Sequence, residues 1–319
     1  MSNNTLTNRH DFLLLFEVTN GNPNGDPDAG NLPRFDPNTN RGIVSDVCLK
    51  RKVRNFVELF PPARENDKAN GFGIFIKQGP ALERKITEAV DKNDKKPEAA
   101  VRWLCREFFD IRAFGGVLGV GDEVMKGSAY GQLRGPVQFT FGQSIHSITP
   151  LEITITRCVA TTIEDEKKER TMGNKHIVPY ALYAAKGYVS PAFAEKTGFT
   201  NADLELLFQA LLNMFEHDRS AARGEMIVRG LFDFEHVGTQ HPNNAEQNER
   251  EARLGCAHAH KLIEGIKVDL SEKAKTAGKT FPESFADYDV KCDWTDADLP
   301  KGIKLNLRHE GRSIGPKQG

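Results

Sequence analysis

The 319-residue sequence predicts an α+β fold on the βαββαβ plan of a ferredoxin-like or RRM-like domain. Three observations carry that expectation. An apolar run from Phe12 to Val18 is followed by an amphipathic helix that stops at Pro61-Pro62. Two alternating stretches, Val137 to Phe141 and Leu151 to Thr156, come next and are expected to pair as strands with one wetted face. A second amphipathic helix, Thr200 to Asp218, then leads into a strand from Met226 to Glu235.

Taken in order, Phe12-Leu13-Leu14-Leu15-Phe16-Glu17-Val18 alternates too little for a half-solvated edge, so it reads as a central strand buried on both faces. Asn20-Gly21-Asn22-Pro23-Asn24-Gly25-Asp26-Pro27-Asp28 cuts it off with ordered turn chemistry that leaves backbone N–H groups and side-chain amides pointing outward. Ser45 is a good N-cap with Asp46 in the first turn, and Leu49, Val53, Phe56, Val57 and Phe60 make the core stripe of the helix. Lys50 and Arg54 sit four apart with Arg51 and Asn55 beside them, so three cations share one side. Like charges at that spacing repel until an anion lies between them, which suggests a phosphate-binding strand-loop-helix. The same residues also describe a solvated basic face.

Between Pro80 and Asp110 two helical patterns are separated by the polar stretch 91–97, the second with Val101, Leu104, Cys105, Phe108 and Phe109 as core. Gly115 to Gly121 lacks the GxGxxG spacing and runs into Asp122-Glu123, and Gly278-Lys279-Thr280 has Lys273 where a Walker A motif needs glycine. The charge run Glu164 to Arg170 precedes Thr171-Met172-Gly173-Asn174-Lys175 and a strand-like segment, Ile177 to Tyr183, as in a hairpin with a solvated tip. Thr200 and Asp203 are placed as a capping box. Beyond Gly238 the chain is polar, and irregular peripheral structure with a short helix near Asn244 to Glu264 is expected there.

Composition bounds the function. With 39% hydrophobic and 27% charged residues the sequence is that of an ordinary globule, and no apolar run reaches the length of a membrane span, so a cytoplasmic protein is expected. Five scattered cysteines without a CxxC pair argue against a zinc knuckle or a disulfide framework. His217-Asp218 and His258-Ala259-His260 come without HExxH or a nucleophile elbow, and Asp26, Asp28 and Asp36 lack the closing ligand of an EF-hand, so neither a cofactor nor a metal is expected. A net charge of −1 opposes nucleic-acid binding by bulk charge; any such site must come from segregated cations.

The phrase Val18-Thr19-Asn20-Gly21-Asn22-Pro23-Asn24-Gly25-Asp26-Pro27-Asp28-Ala29-Gly30, with Ser45-Asp46-Val47-Cys48-Leu49-Lys50-Arg51-Lys52-Val53-Arg54, resembles the backbone subunit of the type I-C CRISPR Cascade complex, a member of the RAMP superfamily. The likeness continues through Asp110 to Gly115, Arg134 to Phe139 and Thr171 to Tyr180. It implies one hand-shaped domain: a palm of about residues 9–60, 111–160 and 176–238, a helical fingers insertion of about 61–110, and a β-hairpin thumb of about 160–176, with 239–319 peripheral. It further implies a non-catalytic scaffold on CRISPR guide RNA, oligomerising head to tail in a helical filament and accommodating target-strand DNA beside the large, small and repeat-processing endonuclease subunits. The candidate RNA-binding residues are Asn20, Asn22, Asn24, Ser45, Lys50, Arg51, Arg54, Arg112, Arg170, Met172 and Lys175; the resemblance implies a thumb that distorts the guide, and the place of Met172 in the hairpin assigns it as the wedge between bases. The alternative is a RAMP-type ribonuclease whose thumb aspartate would be Asp165.

Overall fold

In the computed structural model, residues 5–62, 71–156, 159, 162–163, 172–239, 244–295 and 297–310 are described. The chain enters on β1 (His10–Gly21), turns through the short pair β2 (Gly25–Asp26) and β3 (Leu32–Pro33), adds β4 (Arg41–Val44) and continues into α1 (Asp46–Leu59). Next come α2 (Leu82–Asp91), α3 (Pro97–Glu107), α4 (Phe109–Phe114), the pair β5 (Gly115–Val117) and β6 (Gln132–Arg134), and then β7 (Val137–Phe139), β8 (Gly142–Ser147) and β9 (Leu151–Thr156). The long β10 (Met172–Val189), α5 (Pro191–Thr197), α6 (Asn201–Asn213) and β11 (Glu225–His236) follow. The C-terminal part holds α7 (Ala245–Leu254), α8 (Ala259–Glu264), β12 (Ile266–Leu270), α9 (Glu272–Thr276), β13 (Tyr288–Cys292) and β14 (Ile303–Glu310).

The result is a mixed α/β fold around a large antiparallel sheet, in the order β14-β11-β1-β10-β8-β4. The apolar run does become the central strand: β1 pairs with β10 from His10↔Val189 to Gly21↔Val178 and with β11 on its other side. Successive side chains of a strand point to opposite faces, so β1 feeds two cores. Phe12, Leu14, Phe16 and Val18 pack with Leu49, Val53 and Val57 of α1 and with Leu204, Leu207 and Leu211 of α6. Leu13 and Leu15 pack with Phe232, Phe234, Leu262, Ile263 and Ile303. Each such fully buried side chain contributes about 1.5–3 kcal/mol relative to exposure.

Three expectations need correction here. The stretches Val137–Phe139 and Leu151–Thr156 do not pair with each other; β7, β8 and β9 each pair with β10, which is long enough to take them at different points along its length. Leu151–Thr156 is exposed along its whole length, so β9 and the start of β10 form a ribbon leaving the sheet. The region after Gly238 is not peripheral: β14 extends the sheet, and α8 with the β12–β13 pair covers its second face. That face carries Leu13 and Leu15, so the apolar run itself required a cover. The core stripe of α1 is also shorter than expected, since Phe60 is exposed, with its ring tilted against that of His217 at 4.4 Å between centroids.

Gly115 and Gly135 explain part of the motif pattern without any ligand. Gly115 has φ +71, and a Cβ on either glycine would drive into the other segment's backbone, so the two cross at a distance only glycine permits.

Candidate nucleic-acid interface

The Asn-rich loop and α1 are one built unit. Asn24 Oδ1 accepts from both the backbone N–H and the hydroxyl of Ser45, each at 2.9 Å, while Ser45 Oγ accepts from the Cys48 N–H and caps the helix. Asn22 is buried; its amide nitrogen donates to the Asn31 carbonyl at 2.7 Å and its backbone N–H to Ala222. These two asparagines therefore hold the loop against α1 and the 218–223 turn. Asn20 is different: it adopts φ +47 and turns its exposed side chain away from them, to a separate cavity.

The three expected cations of α1 divide. Lys50 pairs with Asp46 at 3.0 Å, and Arg54, nearly buried, pairs with the fully buried Asp110 at 2.9 Å. Both cations lie over the Phe114 ring, at 5.7 and 5.3 Å. Asp110 also accepts from the N–H groups of Phe75 and Ile76, so the Arg54 pair fastens α1 to the 71–114 segment. The protein's own carboxylates thus supply the anions that the i, i+4 cation pair calls for. Arg51 is left exposed with a neutral partner, Gln78 at 3.1 Å, and has no carboxylate partner among the described residues.

Arg51 and Asn55 form a ridge between two clefts. One, of about 600 Å³, runs between α1 and Ile74 to Gln78 and includes Lys77. The other, of about 400 Å³, lies between α1, the loop Asn22 to Gly25, and Asp218 with Arg223. Lys52, which helical spacing places on the core side, reaches this second cleft and pairs with Asp218, which is also 2.8 Å from Arg223 Nε. Three cations, Arg51, Lys52 and Arg223, therefore face one carboxylate, and the cleft keeps an excess of positive charge where the whole chain has none. Sequence reasoning missed Lys52, Lys77 and Arg223; only Lys52 carried a signal, as a fourth cation in α1.

Arg112 requires correction as a binding residue. Its guanidinium is fully buried, donates to both carboxylate oxygens of Asp203 at 2.7 and 3.0 Å and to the carbonyls of Gly71 and Cys105, and is spent joining α4 to α6. Arg170 and Asp165 lie outside the described residues. Met172 opens β10 opposite Thr156 and is 71% exposed, whereas Lys175 sits opposite Ile153; three apart on a strand, the two point to opposite faces of the ribbon. No described contact joins the ribbon to the α1 clefts.

Burial pushes the Cys105 thiol up to about 12 and raises that of Cys48, which lines the second cleft, so both stay protonated near neutrality. Among the described residues no group of three His, Cys, Asp or Glu is placed to hold a metal ion, and no helix is long and apolar enough to cross a membrane.

A sequence model of the family described as CRISPR-associated protein Cas7 matches residues 8–293. A relative from Haloferax volcanii, named CRISPR-associated protein Cas7, is 26% identical over 297 residues, covering 85% of this chain and 83% of its own. Among solved structures, a chain of a CRISPR RNA-guided surveillance complex, pre-nicking, superposes with TM-score 0.45 at 15% identity, over 71% of this chain and 78% of that one. A chain of a CRISPR RNA-guided surveillance complex gives 0.41 at 14% identity, over 71% and 68%.

Proposed function

Because the chain belongs to the Cas7 family of CRISPR-associated proteins, we propose that it is a non-catalytic scaffold for guide RNA in a type I-C Cascade surveillance complex. The observation that carries the reading is the α1 ridge, where Arg51 and Asn55 stand between two clefts and an excess of cations faces outward. Phosphate contacts of this kind position a strand without reading its sequence, and pairing with target-strand DNA is then left to the bases of the guide. The strand order β11-β1-β10-β8, with α1 following β1 and α5 and α6 following β10, is that of a βαββαβ unit and supports an RRM-like palm. The helical segment of about 61–110 is the proposed fingers, and the ribbon of β9 and β10 is the base of the proposed thumb. Asn22, Asn24 and Ser45 act by shaping the loop, and Lys50 and Arg54 by holding α1 in place. Copies of the chain assemble head to tail along the guide, with the large, small and repeat-processing subunits as the other partners.

Affinity for guide RNA measured against salt tests this reading. Arg51→Ala is expected to weaken binding equally for all spacer sequences and to reduce the slope of log K against log salt by about one. An unchanged slope would return α1 to a merely solvated basic face.

A further inference from the structure

Asn20, separated from the other asparagines, belongs to a cavity of about 370 Å³ at the root of the ribbon. Four aromatic rings line it: His146, Tyr180, Tyr288 and, at the mouth, Phe281, which is 58% exposed. Hydrogen bonds fix the inner rings in place. Tyr180 donates to Glu17 Oε2 at 2.9 Å, and the buried Glu17 is held in turn by Arg229. The Tyr288 hydroxyl bonds His146 Nδ1 at 2.9 Å, and the ring centroids of Tyr288 lie 5.3 Å from His146 and 6.5 Å from Tyr180. Asn20 lies at the strand end in a left-handed conformation that costs an L residue about 1–2 kcal/mol and that asparagine tolerates best, and its amide has no partner among the described residues.

The charge of the lining selects the ligand. Among the described residues no lysine or arginine lines the cavity, Glu283 stands in its wall paired with Lys279, and burial followed by the nearby Arg41 lowers the His146 pKa, which favours the neutral ring. That lining itself offers a phosphate no cation, whereas a flat neutral heterocycle finds aromatic faces and an amide edge. Asn20 is two residues from Asn22, which lines the cationic cleft, so the two cavities flank the same turn of chain. We propose that this cavity is a nucleobase pocket that takes one unpaired base of the bound RNA onto Phe281, with the Asn20 amide at the edge of the base. The proposal rests on the guide-RNA reading above.

The test uses the full chain on guide RNAs carrying 2-aminopurine at one position at a time. Wild-type protein is expected to quench particular positions by stacking. Phe281→Ala should abolish that quenching and weaken binding about 5- to 160-fold, the range measured for single base-aromatic stacks, while Phe281→Trp restores both. Asn20→Gly, which accepts φ +47 without strain, should keep the fold and the stacking but change which base is preferred at those positions. The pocket is overturned if RNA binds with its Arg51-dependent salt slope yet no position responds to Phe281→Ala. It is equally overturned if that variant alters only association between copies, which would make the cavity a protein-docking site. Absence of any RNA binding by wild-type protein would remove the guide-RNA reading itself.

Discussion

The buried charges of this chain act as structural fasteners, and each has a distinct signature under mutation. Arg112 uses its donors on Asp203 and on the carbonyls of Gly71, Cys105 and Arg106, and Asp203 also caps α6 through Thr200. Arg112→Ala leaves that carboxylate and those carbonyls unpaired in the interior, so stability should fall by about 3–5 kcal/mol in denaturant titration. The salt slope of RNA binding, measured where the variant is still folded, should not change. Asp233 is the pH-sensitive counterpart. Burial alone would raise its carboxyl pKa, but hydrogen bonding to His10 and the nearby Arg308 prevail and hold it below the usual 3.8. A depressed folded-state pKa contributes stability that is present above the unfolded value and disappears as pH falls through the folded one. Wild-type protein should therefore be more stable than Asp233→Asn at neutral pH, with the difference shrinking as pH drops below about 4; a constant difference across that range would contradict the assignment.

At the level of elements, the first helix and the ribbon divide positioning from contact. In α1, Leu49, Val53 and Val57 fix the helix on the sheet, Arg54 ties it to Asp110, and only the outward ridge is free for a ligand. The ribbon has the opposite character, because Leu151–Thr156 is exposed throughout and Met172 projects from its polar side opposite Thr156. An unbranched thioether in that position can enter between bases, at a cost of a few kcal/mol for each unstacked step. Met172→Ala removes no core contact, so its stability should stay within about 0.5 kcal/mol of wild type. Chemical probing of the bound guide should nevertheless lose contrast between distorted and regular nucleotides. A probing pattern untouched by the substitution would reject Met172 as the wedge.

For the whole molecule the scaffold proposal requires that copies add head to tail along a guide. A head-to-tail interface does not close on itself, so it grows an open helix whose length the RNA sets. Particle mass should therefore rise in steps with guide length, as read by mass photometry or native mass spectrometry, and a fixed dimer on every guide would defeat the scaffold reading. The C-terminal region matters at this scale too. By covering Leu13, Leu15, Phe232 and Phe234 it makes the sheet a two-sided core, leaving the α1 ridge and the ribbon as outward features on a rigid support.

What the sequence determined by itself is what depends on neighbouring residues. The doubly buried β1, the limits of α1 between Ser45 and Pro61, the helices on either side of the polar stretch 91–97 and the Thr200–Asp203 capping box are all local patterns, and the structure places them where those patterns put them. The tertiary structure alone decided which charges remain available. Arg54 meets Asp110 and Arg112 meets Asp203 only after the chain has folded, and each meeting converts a cation that looked free into an internal tie, whereas folding brings Lys52 to Asp218 in the second cleft. The same holds for the cavity that unites Asn20 with Tyr180 and Phe281, and for the C-terminal cover of the sheet. The physical reason is that periodicity and capping report the preferences of adjacent backbone, whereas an ion pair or an aromatic wall is a contact between distant segments, whose partners are chosen by how elements pack.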